Sequence, residues 1–121
     1  LQVHGYPNMF TTGAPLAPSA ALCNMTTCLQ QQAEWINDCI AHVCKSGKGV
    51  IEPSETVQDD WVQHHDDTAN ATLVSKTNSW YMGSNVEGKP RRLLSYIGGV
   101  GTYRDKCREV AHSNYKGFEL K

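Results

Sequence analysis

The stretch Gly5-Tyr6-Pro7-Asn8-Met9-Phe10, then Gly13-Ala14-Pro15-Leu16-Ala17-Pro18-Ser19, then a long run of helical spacing decides how this chain is read. Residues 7–12 read as a short strand and residues 13–19 as a loop shaped by Pro15 and Pro18. Ser19 reads as the cap of a helix over about 20–46. Along that helix Leu22, Met25, Leu29, Ile36, Ile40 and Val43 recur at steps of three, four and seven, the period of one helical face. Lys45 falls in its last turn and Gly47 stops it. A strand and a turn thus deliver a helix N-terminus. Its unpaired N–H groups and partial positive charge suit an anion or the electron-rich edge of a cofactor.

Beyond that helix, Val50-Ile51 is a brief extended piece. Pro53 opens a second helix, with Glu55 and Asp59 near its positive end. Val57, Trp61, Ala69 and Leu73 keep one face apolar to about residue 73. Residues 74–92 are rich in Ser, Asn, Gly and Pro and form a long loop, of a length that in a small domain is often functional. Residues 93–97, Leu-Leu-Ser-Tyr-Ile, read as a strand, 102–112 as a third helix and 115–120 as a final strand. The fold class expected is α+β, about three helices and a few short strands in one segment over 1–121.

The chain has 121 residues, the size of one domain. It is 40% hydrophobic with a formal net charge of −1, which points to a globular chain. Near-neutral charge leaves no footprint for nucleic acid or an anionic membrane, and Lys89-Pro90-Arg91-Arg92 is too short to make one. No run of about 18 apolar residues occurs, so no spanning helix is expected. The start, Leu1-Gln2-Val3-His4-Gly5, has neither an initiator Met nor the character of a secretion signal, and the chain reads as a fragment or a processed product. Five cysteines, Cys23, Cys28, Cys39, Cys44 and Cys107, make an odd set. Four lie in or beside the first helix, where pairing among them would break it, so reduced thiols in the cytoplasm are expected. The sequons Asn24-Met25-Thr26 and Asn70-Ala71-Thr72 are then chance matches.

Several patterns are weighed against plain structural roles. Gly99-Val100-Gly101-Thr102-Tyr103-Arg104 follows an expected strand but has Arg104 where a dinucleotide fingerprint needs glycine, and reads as a tight strand-to-helix turn. His64-His65-Asp66-Asp67, behind Asp59 and Asp60, suggests a metal cluster, but on a helix the two histidines point about 100° apart. A solvated polar face is the expectation, with no metal. The cysteines show no CxxC and read as core or lining residues. Trp35 and Trp61 read as core residues. Trp80, in the long loop, reads from its chemistry as an anchor to the core.

Taken in order, these segments resemble the C-terminal part of Baeyer–Villiger monooxygenases of the phenylacetone, steroid and cyclohexanone types. The residues that carry the resemblance are Gly5-Tyr6-Pro7-Asn8-Met9-Phe10, Gly13-Ala14-Pro15, Pro18-Ser19-Ala20 and Leu22-Cys23-Asn24-Met25. Glu34-Trp35-Ile36 and Ile51-Glu52-Pro53 follow. Ser79-Trp80-Tyr81-Met82-Gly83-Ser84-Asn85-Val86, Gly88-Lys89-Pro90-Arg91, Tyr96-Ile97-Gly98-Gly99, Tyr103-Arg104 and Tyr115-Lys116-Gly117-Phe118 complete the series. At Ala20-Ala21 the chain is one residue longer than the phenylacetone type.

The resemblance implies a segment that completes an α/β, Rossmann-like FAD-binding domain. In that family NADPH reduces FAD, the reduced flavin takes up O2, and one oxygen is inserted beside a ketone carbonyl to give an ester or lactone. Carried over by position, Asn24, Met25 and Thr26 would border the flavin, and Leu22, Cys23, Asn24 and Met25 would form a wall of the ketone pocket. The 74–92 segment would be the control loop that folds over NADP, with Trp80 touching the nicotinamide cofactor. The family's nucleotide-binding glycine motifs, its His- and Trp-containing fingerprint and its stabilising arginine have no counterpart in this segment. No catalytic residue is therefore expected here, no tightly bound cofactor on this chain alone, and no turnover by it alone. Its expected partners are the remaining FAD and NADP domains and a ketone substrate. The alternative is a non-catalytic remnant that self-associates or binds a partner through its exposed apolar face.

Overall fold

The computed structural model describes residues 1–19 and 21–121. Helix α1 spans Met25–Lys45. Its cap is Asn24, whose backbone is extended and whose side chain accepts the Thr27 N–H at 3.4 Å. Ser19 does not serve as the cap. Its carbonyl instead takes the N–H groups of Leu22 and Cys23 in a turn ahead of the helix. Ala20 lies outside the described residues.

The face of α1 that is buried carries Cys28, Gln32, Trp35, Cys39 and Val43. This stripe is turned by roughly 70° from the apolar stripe expected from sequence and shares only Val43 with it. Ile40, counted as core by periodicity, is exposed. The reason is chemical: Gln32 is fully buried because its Oε1 accepts the Gly13 N–H at 2.8 Å, a role no hydrophobicity pattern registers.

Trp35, Cys39 and Val43 pack with Ile51 and Tyr115 into one core. The Trp35 ring meets Tyr115 edge-on, centroids 5.5 Å apart, and its indole N–H donates to the Cys107 carbonyl at 2.8 Å. Cys107 belongs to α3, Val100–His112, so this bond ties the two helices across the core. Burial pushes the Cys39 thiol up to about 11 and the Cys107 thiol up as well, so both stay protonated, as buried packing residues do.

Strand β1, Ile51–Pro53, pairs antiparallel with β2, Phe118–Leu120, in the register Ile51↔Leu120, Glu52↔Glu119, Pro53↔Phe118. Pro53 therefore ends a strand and does not open the second helix. That helix, α2 (Glu55–Asn70), is capped by Ser54, whose hydroxyl accepts the Val57 N–H at 3.3 Å.

Two expected strands are not strands. Residues 7–12 are broken by Asn8, which has φ 60°. Asn8 nevertheless takes both backbone groups of Ile51: its N–H donates to the Ile51 carbonyl and its Oδ1 accepts the Ile51 N–H, each at 3.0 Å. One asparagine thus closes the open edge of β1 in place of a strand. Residues 93–97 run as a strap that bends at Leu94 and Ser95. The Leu16 N–H donates to the Leu94 carbonyl and the Tyr96 N–H to the Ala17 carbonyl on one side. On the other side the Leu94 N–H donates to the Tyr81 carbonyl. The bonding is strand-like, but its neighbours are turns, so no ladder extends.

The 74–92 loop is not structureless. It contains two short 3₁₀ turns, Leu73–Lys76 and Trp80–Met82. Leu73, expected on the buried face of α2, is 76% exposed at the first of them. No helix of the described residues is long and apolar enough to cross a membrane.

Candidate functional site

Leu22, Cys23, Asn24, Met25 and Thr26 lie together at the start of α1, as contiguity requires. Their environments differ. Leu22, Asn24 and Thr26 are exposed, Cys23 is half-buried, and Met25 is half-buried with its side chain lying over Gly13. At Gly13, φ is 60° and an added Cβ would sit 2.9 Å from Met25 Cε, so a glycine there lets the loop close on the helix start.

The helix start is electrostatically open. No residue of its first turn is acidic, whereas α2 carries Glu55 in the same place. Asn24 answers the Thr27 N–H, and no acceptor among the described residues takes those of Met25 or Thr26. The positive end of this 21-residue helix thus carries no acidic side chain of its own first turn.

The expectation that the cysteines beside this helix cannot pair is corrected. Cys23 and Cys28 are joined as a disulfide with a Cα–Cα distance of 6.8 Å. The helix begins only at Met25, so Cys23 lies outside it and the bond spans the cap rather than breaking a helical turn. Cys39, Cys44 and Cys107 are free thiols, Cys44 exposed.

Beside the helix start lies a hollow of about 160 Å³. Leu22 lines it from the helix side, Val74 and Tyr81 from the loop, and Leu93, Ser95 and Ile97 from the strap. It is an almost wholly apolar space in which the proposed pocket wall and the loop meet. Trp80 does not line it. Trp80 is 58% exposed, its ring stacked on Tyr81 with centroids 4.1 Å apart. As an anchor to the core, Trp80 is therefore corrected: Met82 and Leu93, with Ala69 of α2, form that anchor. Trp35 and Trp61 do pack inward. The Trp61 indole N–H donates to the Leu16 carbonyl at 3.3 Å, and its ring lies 5.0 Å from that of Tyr96.

The histidine pair is also corrected. His64 and His65 do not form a solvated face. His65 is fully buried, with Nε2 2.7 Å from the Leu93 carbonyl, and His64 Nε2 lies 2.9 Å from the Tyr96 hydroxyl. Burial lowers the pKa of His65. Asp66 pairs with Arg92. No group of three or more His, Cys, Asp or Glu among the described residues is placed to hold a metal ion.

Sequence reasoning missed Leu93, Ser95 and Ile97 as lining residues. The signal was present, since these are alternate positions of a segment read as a strand, and alternate positions share a face. It missed the role of His65 because a buried histidine that answers a carbonyl has no local pattern.

No protein-family model matches the chain. The acetone monooxygenase (methyl acetate-forming) of Gordonia sp. (strain TY-5) is 67% identical over 120 residues, which is 99% of this chain and 22% of that protein. Cyclohexanone monooxygenase from Rhodococcus sp. Phi1, solved bound to NADP+, superimposes with a TM-score of 0.91 at 37% identity, over 99% of this chain and 22% of that one. The structure of OTEMO in complex with FAD and NADP superimposes with a TM-score of 0.88 at 33% identity, over 100% of this chain and 22% of that one. The chain spans about a fifth of the length of the proteins it matches, and its three helices and two-stranded ribbon form a small α+β piece of those larger structures.

Proposed function

We propose that this chain, a segment homologous to the Baeyer–Villiger monooxygenases over nearly its whole length, is the C-terminal part of an FAD- and NADPH-dependent enzyme of that kind. In this reading the segment completes the FAD-binding domain and contributes one wall of the ketone pocket together with the NADP control loop over 74–92. The single observation that carries it is the match over 99% of the chain to an acetone monooxygenase at 67% identity. FAD, when bound, supplies the redox chemistry and the reaction with oxygen; the segment supplies position, electrostatics and exclusion of water.

The residues present fit such a role. The α1 start, free of acidic side chains and with unclaimed N–H groups at Met25 and Thr26, suits the electron-rich edge of a flavin. The adjoining apolar hollow suits the carbon skeleton of a small ketone. The exposure of Trp80 leaves its ring free to meet a second cofactor. Leu22, Cys23, Asn24 and Met25 then shape the substrate pocket, and Asn24, Met25 and Thr26 border the flavin. No residue of this segment is assigned a catalytic step, and the segment by itself is not expected to hold FAD tightly or to turn over.

The partners in this reading are the remaining FAD and NADP domains. Leu22, Ile40, Met9 and Tyr6 are among the large apolar side chains left exposed, which those domains would cover in part. The second reading, self-association of the segment through those side chains, rests on the same exposure. Sedimentation of the isolated segment tests it: a monomer at micromolar concentration removes it.

The main test uses the full-length protein. Trp80→Ala should raise the KM for NADPH and lower coupling while FAD content stays at the wild-type level. Met25→Ala should change the range of ketones accepted more than stability, and Cys23→Ala should change it too, with an added loss of stability from breaking the bond to Cys28. Unchanged NADPH kinetics in the first variant, with unchanged selectivity in the other two, would sink the assignment.

A further inference from the structure

We infer that His64, His65 and Asp66 are positioning residues, a clamp on α2 that fixes the C-terminal foot of the 74–92 loop and so sets how far the Trp80–Met82 turn can swing. Three consecutive helix residues project about 100° apart, and each grips a different point of the strap that leaves the loop. Asp66 takes Arg92 in a fork: Nε reaches Oδ1 at 3.0 Å and Oδ2 at 3.1 Å, and Nη2 reaches Oδ2 at 2.9 Å. His65, fully buried, bonds the Leu93 carbonyl at 2.7 Å. A carbonyl only accepts, so the proton sits on Nε2, and the buried Nδ1 is left with no partner among the described residues. His64 meets the Tyr96 hydroxyl at 2.9 Å.

The gripped residues carry the grip into the loop. The Arg92 N–H donates to the Met82 carbonyl and the Leu94 N–H to the Tyr81 carbonyl. The strap and the turn that presents Trp80 therefore move together. Residues 84–92, between that turn and the strap, are all exposed, so they add little to hold it. A bidentate ion pair and a buried carbonyl bond are directional, and they hold a loop in place without burying it. The small cluster of Ala69, Met82 and Leu93 anchors the base of the turn, and the clamp adds direction to that anchor.

The consequence for cofactor handling rests on the proposed reading of the loop as the one that covers NADP. Hydrogen exchange of residues 77–92, in the full-length protein with no NADP added, is measured for wild type, Asp66→Ala, His65→Leu and His65→Gln. NADP+ affinity and FAD content are measured alongside. Asp66→Ala and His65→Leu should raise exchange in 77–92 by about tenfold, with α1 and α3 unchanged, because only the local opening is eased. His65→Gln, which keeps a donor near the Nε2 position, should restore most of the protection. NADP+ affinity should fall by about tenfold with FAD content unchanged, since the binding-competent loop is populated less. Raised exchange with unaltered NADP+ affinity supports the clamp and overturns the NADP reading of the loop. Unchanged exchange in 77–92, or a rise spread equally over α1 and α3, overturns the clamp.

Discussion

The half of the molecule built on α1, α3 and the β1–β2 ribbon and the half built on α2 and residues 73–97 hold their chain by different means. In the first, Trp35, Cys39, Val43, Ile51 and Tyr115 make one continuous core, and the ribbon is closed at one edge by Asn8. In the second, the buried residues fall into two small clusters, Ala69 with Met82 and Leu93, and Ala17 with Tyr96 and Tyr103, and the chain between them is held at points by His65, Asp66 and backbone bonds to Leu16 and Ala17. Area burial is non-directional and gives stiffness over a volume; point anchors give position to a segment that stays in water. The first arrangement suits a scaffold that presents a helix start, and the second leaves residues 84–92 exposed on a segment held at a few points.

The comparison is open to four tests, taken from the largest expected effect to the smallest. Trp35→Ala should destabilise the protein by about 3–5 kcal/mol, since it removes a buried aromatic at the junction of both helices. Denaturant midpoints would show this, and a loss under 1 kcal/mol would deny the first half its single core. Gly98→Ala should cost about 1–3 kcal/mol, because the added methyl collides with the Tyr96 ring end and forces it off His64. If an aromatic circular dichroism spectrum and melting curve stay as in wild type, the strap is looser than its contacts imply.

The third test is pH. His65 has a folded pKa held below its ordinary 6.5, first by burial. An unfolded chain takes up a proton there as pH drops through 6.5, and the folded chain does so only at lower pH. The neutral, buried state thus contributes stability above pH 6.5 that is lost as pH falls toward the folded value. Stability measured near pH 7.5 should exceed that near pH 5.5, and His65→Gln should flatten the slope. A slope unaltered by that substitution would assign the pH dependence to other groups. Smallest of all, Trp80→Ala should change stability by no more than about 0.5 kcal/mol, as its ring is mostly in water. A larger loss would mean that Trp80 anchors the loop after all.

Much of the first half was legible in the sequence. The helical period of α1 and the position of Trp35 announce a helix and a core residue, whereas Pro53, read as the opening of the second helix, ends β1 instead. The choice of buried face was not legible. Cys28 and Cys39 were read as core or lining residues without fixing the face, and polar Gln32 is buried between them because the Gly13 backbone offers it a donor. The second half was read less well. Leu93, Ser95 and Ile97 alternate like a strand, but the segments beside them are turns, and His65 has a partner 28 residues away.

By itself the sequence determined the three helices, the turn-rich loop between the second and third, and the ordered series of motifs by which this chain resembles one enzyme family. These rest on local periods, caps and turn residues, which act over a few positions. Tertiary structure alone decided which side of α1 is buried, that Asn8 closes β1 in place of a strand, and that consecutive residues of α2 hold the loop. Each of those depends on a hydrogen-bond partner 19 to 43 residues away, and such a partner offsets part of the cost of burying a polar side chain.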